Sequence, residues 1–122
     1  MILLALTPEP LAREGFPDAE AHRLRSGPWT VTALVERGTA ACRVEEDTLE
    51  VVETPVLAGG RAEGPLLCRL VFDARTGRLT IERPPQSGRQ IYWAPAPGGG
   101  WLFATRVSAL GRAGLPLEED PG

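Results

Sequence analysis

The chain contains no lysine and no asparagine, one histidine and two cysteines. Each shortage closes off a kind of chemistry. All thirteen basic residues are arginine, so there is no Schiff-base amine, no phosphate-loop lysine and no lysine general base. The missing asparagine removes one common oxyanion donor. A single histidine, His22, excludes a metal site built on several imidazoles, and Cys42 and Cys68 lack the close spacing of zinc-binding pairs. No metal and no cofactor is therefore expected. Apolar runs stop far short of the roughly 20 residues that a membrane-spanning helix needs. The opening run, Met1 to Leu6, has no basic segment ahead of it and meets Thr7-Pro8 at once, unlike a signal peptide. The expectation is a cytoplasmic protein with reduced thiols and no membrane partner.

What is present amounts to one domain over residues 1–122. The net charge is −3, made of −5 over residues 1–60 and +2 over residues 61–122. A mildly acidic chain lacks the electrostatic footprint of a nucleic-acid binder, so nucleic acid is not expected as a partner.

Periodicity points to strands. Met1 to Leu6 is continuously apolar, as in a strand buried on both faces. Pro17 to Leu24, with a proline and acids at its start, predicts one short helix. Residues 29–57 predict a three-strand meander, with Trp29, Val31, Ala33 and Val35 alternating with polar neighbours and Leu34 out of step. Ala58 to Pro65 reads as a Gly-rich loop, and Leu66 to Asp73 as a central strand. Ala74-Arg75-Thr76-Gly77 turns the chain into a strand over 78–83, with Leu79 and Ile81 facing in. Residues 90–94 and 101–104 predict two more strands, and 105–113 a short helix capped by Thr105.

Chemistry-bearing residues are sparse. His22 reads as a surface histidine, and Cys42 and Cys68 as packing residues on strand faces. Glu45, Glu46, Asp47, Glu50 and Glu53 crowd one hairpin, a pattern of a solvated turn more often than of a paired-carboxylate site. Trp93, Trp101 and Tyr92 fall on neighbouring strands. They are either a cross-strand core cluster or an aromatic anchor for a partner.

The second half has a further pattern. LVFDARTGRLTIER at 70–83, RPPQSGRQIYWA at 83–94 and WLFATRVSALGRAGLP at 101–116 resemble successive segments of the glutaminase-type domain of asparagine synthetases. Those segments follow patterns like FALWDxxxGxLxLAR, RDPLGIRPLYYA and LxFASEIKALLAAGVP, and Arg83, Pro85, Arg89, Tyr92 and Ala94 match. The resemblance spans about residues 66–121, roughly half the chain, and includes no catalytic motif. It implies a class II glutamine amidotransferase type of domain, shared with β-lactam synthetases and lasso-peptide cyclases. The implied fold is α+β and mostly antiparallel β, a truncated N-terminal-nucleophile-hydrolase-like sandwich of two sheets with few short helices.

The resemblance also implies what is missing. Active relatives use an N-terminal cysteine, where this chain has Met1-Ile2. Their asparagine–glycine oxyanion motif has no counterpart, their aspartate after the arginine is Pro84, and their Ser-Glu is Thr105-Arg106. With Pro121-Gly122 at the end of the sequence, the expectation is that the ATP-using synthetase domain of such relatives is absent. The expectation is a non-enzymatic, degenerate amidotransferase-like accessory protein. It would bind a peptide or protein partner, such as a precursor peptide of a natural-product pathway. The alternative is a docking subunit of a split ATP-dependent amide-forming synthetase. Trp29, Arg89, Tyr92, Trp93 and Trp101 are the expected partner-binding residues, and a homodimer is the expected assembly.

Overall fold

The computed structural model describes residues 1–12, 15–36, 40–54, 56–58, 61–63, 66–84 and 90–113. Among them the elements are β1 (Ile2–Thr7), β2 (Ala19–Ser26), β3 (Trp29–Glu36), β4 (Ala40–Glu45), β5 (Thr48–Glu53), β6 (Val56–Ala58), β7 (Arg61–Glu63), β8 (Cys68–Asp73), β9 (Arg78–Glu82), β10 (Tyr92–Pro95), β11 (Trp101–Ala104) and α1 (Val107–Arg112). The protein is mostly antiparallel β, with a five-stranded sheet ordered β10-β11-β1-β3-β2 and a four-stranded sheet ordered β4-β5-β8-β9. A two-stranded ribbon joins β6 to β7. The helix has six residues.

β1 organises the molecule. Its apolar run has no polar face to give to water, so both of its faces are covered and both of its edges are paired. Leu4 lies opposite Ala33 on one side and Phe103 on the other. Ile2 and Leu4 point into an inner core with Val31, Ala33, Val35, Leu49, Val51, Cys68, Leu70 and Phe72. Met1, Leu3 and Ala5 point into an outer core with Phe16, Leu34, Leu102, Ala109 and Leu110, where α1 packs. Leu34, out of step in the sequence, is thus the residue that β3 gives to the second core.

Several expectations change. The segment expected as a helix from Pro17 to Leu24 is strand β2, paired along its whole length with β3 from Ala19–Glu36 to Ser26–Trp29. The edge of β3 offers that segment a full hydrogen-bond ladder. A two-residue turn, with Gly27 at a φ of 60°, closes the hairpin. Ala19 and Ala21 then meet the outer core and Leu24 the inner one, a period of two that a helix cannot reproduce.

The expected meander over 29–57 is also divided. β3 and β4 belong to different sheets, because their apolar rows share the inner core and stack face to face. The third strand ends at Glu53, and the loop expected over 58–65 includes β7. Finally, Thr105 does not cap α1. The N-cap is Arg106, without a side-chain hydrogen bond. Thr105 Oγ1 instead accepts from Ile2 N at 2.9 Å, and Thr105 N donates to Ile2 O at 3.0 Å. Those two bonds tie the helix entry to β1.

No helix among the described residues is long and apolar enough to cross a membrane.

Candidate functional site

The sandwich is not equally closed on its two sides. On one side β4 and β5 lie over β2 and β3. On the other, β9 and β10 are the last described strands of their sheets, each with one hydrogen-bonded neighbour. Their inner faces do not cover each other fully. Register places Leu79 and Ile81 opposite Phe72 and Leu70, so both point inward. Trp93 lies opposite Phe103 in the same way. Leu79 and Phe103 are drawn into the inner core, but Ile81 remains 41% exposed and Trp93 64%. Between the two strands Ile81, Arg83, Ile91 and Trp93 line an open cleft of about 360 Å³.

Trp101 extends this surface. It sits beside Leu6 on β1, is 42% exposed, and its ring centroid lies 5.6 Å from that of Trp93 with 54° between planes. A tilted pair at that spacing is an ordinary attractive aromatic contact. The pair depends on the turn from Ala96 to Gly100, where Gly98, Gly99 and Gly100 all have positive φ. At Gly100 a side chain has no room, since a Cβ would lie 1.9 Å from Leu6 O. That close approach holds the β10–β11 hairpin against β1.

The expected partner-binding residues separate into groups. Trp93 and Trp101 come together. Tyr92 points to the opposite face, opposite Ala104, and its hydroxyl donates to Gln90 Oε1 at 3.0 Å. Trp29 shares the inward row of Val31 but belongs to β3, two strands from Trp101. Arg89 lies outside the described residues. The sequence reading did not assign Ile81, Arg83 and Ile91 to the site. The alternation of Leu79 and Ile81 marked an inward row, but no pattern within β9 marks it as the last strand of its sheet.

A second concavity, about 250 Å³, is lined by Met1, Phe16, Pro17, Asp18, Ala19, Glu36, Arg106, Ser108, Ala109 and Arg112. The amine of Met1 stands 3.4 Å from Glu36 Oε2 and 3.5 Å from Glu53 Oε2. Arg112 lies over the Phe16 ring, 5.8 Å from its centroid. Charges of both signs surround an apolar floor. Ser108 is the one lining residue with a hydroxyl, and no base is hydrogen-bonded to it among the described residues.

The other reactive groups are quiet. Cys68 is buried, whereas Cys42 is half-buried rather than fully enclosed. Burial first, then the nearby carboxylates Glu20 and Glu50, pushes the Cys42 thiol up to about 12, so it is protonated at neutral pH. His22 is half-buried on β2, with Nε2 3.8 Å from Glu20 Oε2. Among the described residues no group of three or more His, Cys, Asp or Glu is placed to hold a metal ion. The acidic residues Glu45, Glu46 and Asp47 form the exposed β4–β5 turn. No protein-family model, characterised protein sequence or solved structure matches the chain.

Proposed function

We propose that the protein is a non-catalytic binding module that takes a peptide or protein partner in the cleft between β9 and β10. The observation that carries this reading is the placement of Trp93. Burying a large apolar side chain contributes on the order of 2 kcal/mol to folding, and this chain leaves its indole largely in water. Scattered exposed apolar residues are ordinary, but Trp93, Trp101 and Ile81 are neighbours at one opening. Among the described residues β9 and β10 each have a single hydrogen-bonded neighbour, which leaves an edge beside them for a further strand. An extended segment can meet both needs by adding a strand and seating alternate side chains on the aromatic pair.

The layering is compatible with a degenerate amidotransferase-like domain. Two antiparallel sheets stack, and the first strand is central in one of them. The raised Cys42 pKa favours binding over nucleophilic chemistry at that thiol. A role in a biosynthetic pathway, as partner of a precursor peptide or of a separate synthetase, remains the functional setting we favour from the sequence resemblance. A second copy of the chain is the competing occupant.

The test is a photo-crosslinking residue placed at position 93, with position 45 in the acidic turn as control. Irradiation in cells is expected to give one discrete adduct from position 93 and none from position 45. Equal adducts from both positions, or none from 93, would remove the reading. An adduct at twice the 13.1 kDa mass of the chain would identify the homodimer.

A further inference from the structure

Resting on the reading of this cleft as a binding site, we infer that its partner is an extended segment that sets apolar side chains beside a carboxylate. Among the described residues, Arg83 is the charged group that lines the cleft, beside Ile81, Ile91 and Trp93. Of the other charges on β8, β9 and their turn, Arg78 lies at the far end of β9, and two arginines have carboxylate neighbours. Glu82 holds Arg69 at 2.6 Å, and Arg75 lies 3.8 Å from both Asp47 and Asp73. Arg83 has no ion-pair partner among the described residues. It is exposed at the mouth of an apolar surface, where a guanidinium can meet a carboxylate through two parallel hydrogen bonds.

The wider charge pattern has the same sense. Residues 68–95, which hold β8, β9 and β10, carry five arginines against two acids, whereas residues 40–53, which hold β4 and β5, carry one arginine against five acids. β9 and β4 each carry one arginine and one glutamate, so the imbalance lies beside them, in Arg75 and Arg83 flanking β9 and in Glu46 and Asp47 of the β4–β5 turn. An acidic segment is drawn to the cleft by Arg83, and a basic one toward the β4–β5 turn. A strand added to β10 presents alternate residues to the cleft about 7 Å apart. One apolar side chain then rests on the Trp93–Trp101 pair while a carboxylate further along the same face reaches Arg83.

A random-octapeptide display library, panned on the wild-type protein and on Trp93→Ala and Arg83→Glu variants, tests this. Wild type is expected to select peptides in which Asp or Glu accompanies aromatic or aliphatic residues. These peptides should lose most of their binding on Trp93→Ala. On Arg83→Glu they should bind roughly tenfold more weakly, with an intermediate loss on Arg83→Gln. Affinity should fall with added salt for wild type and not for Arg83→Gln. Both side chains are exposed, so unchanged thermal midpoints are expected to accompany these losses.

Selected peptides that need Trp93 but show no acidic preference, or bind Arg83→Glu as well as wild type, would overturn this inference and leave the binding cleft standing. Peptides indifferent to Trp93, or no selected peptide at all, would overturn both. A dimer in light scattering that Trp93→Ala dissolves would replace the acidic peptide with a second copy.

Discussion

β1 and β10 belong to the same sheet, two places apart, and both are largely apolar. β1 has a hydrogen-bonded neighbour on each edge and a core against each face. β10 has one described neighbour and leaves Trp93 mostly in water. The same kind of residue therefore does different work at the two positions. On β1 it supplies burial that holds the fold together. On β10 it is available for burial by something else. Hydrophobicity marks both strands, and closure of the sandwich tells them apart.

The contrast is sharpest at the contact where the two regions meet. Gly100→Ala would drive a Cβ into the Leu6 carbonyl at a backbone angle that disfavours side chains. We expect a loss above about 4 kcal/mol, read as failure to fold or a collapsed urea midpoint. A loss below about 1 kcal/mol would mean that the hairpin does not press on β1 in solution.

Leu4→Ala, which truncates a side chain 1% exposed on β1, is expected to cost about 2–5 kcal/mol in chemical denaturation. A surface-like cost would place β1 outside the core.

The closed side of the sandwich gives a pH signature. The folded Cys42 thiol holds its proton up to about 12, against an ordinary 9.0. Above that ordinary value the unfolded thiol ionises and the folded one does not. This contribution therefore lowers stability as pH rises between 9.0 and about 12, and is absent at neutral pH. A Cys42→Ala variant should show a shallower fall in melting temperature from neutral to alkaline pH. An identical slope in the variant would mean that the thiol is not held in this environment.

Trp93→Ala should have the smallest effect on stability, within about 1 kcal/mol, because its indole is largely exposed already. A larger loss would make Trp93 a core residue and abolish the difference between β1 and β10.

Much of the fold was legible in the sequence. The unbroken apolar run of β1 gave away its burial on both faces, the alternation in β3 marked its inner row, and the apolar run of β8 marked a central strand. The β8–β9 turn and the short strand β11 were legible for the same local reason. β2 was not, because its proline and early acids suit a helix start as well as a strand. Its state was decided by the edge of β3, a partner beyond its own residues. The site was half legible. Trp93 and Trp101 stood out as large aromatics on adjacent strands, and their contact follows from the hairpin that joins them. Tyr92 is one residue from Trp93 and so faces the other way, which is a matter of register.

By itself, then, the sequence determined the class of molecule, the strands whose alternation is strong, and the chemistry ruled out by the missing lysine and asparagine. These are local properties, set by composition and by a period of two. Tertiary structure alone decided that β3 and β4 part into different sheets, that β9 and β10 become the open side, and that Arg83 joins Ile81, Ile91 and Trp93. Those outcomes depend on which apolar rows find each other across the sandwich, and side chains far apart in the chain settle that by burying their surface together.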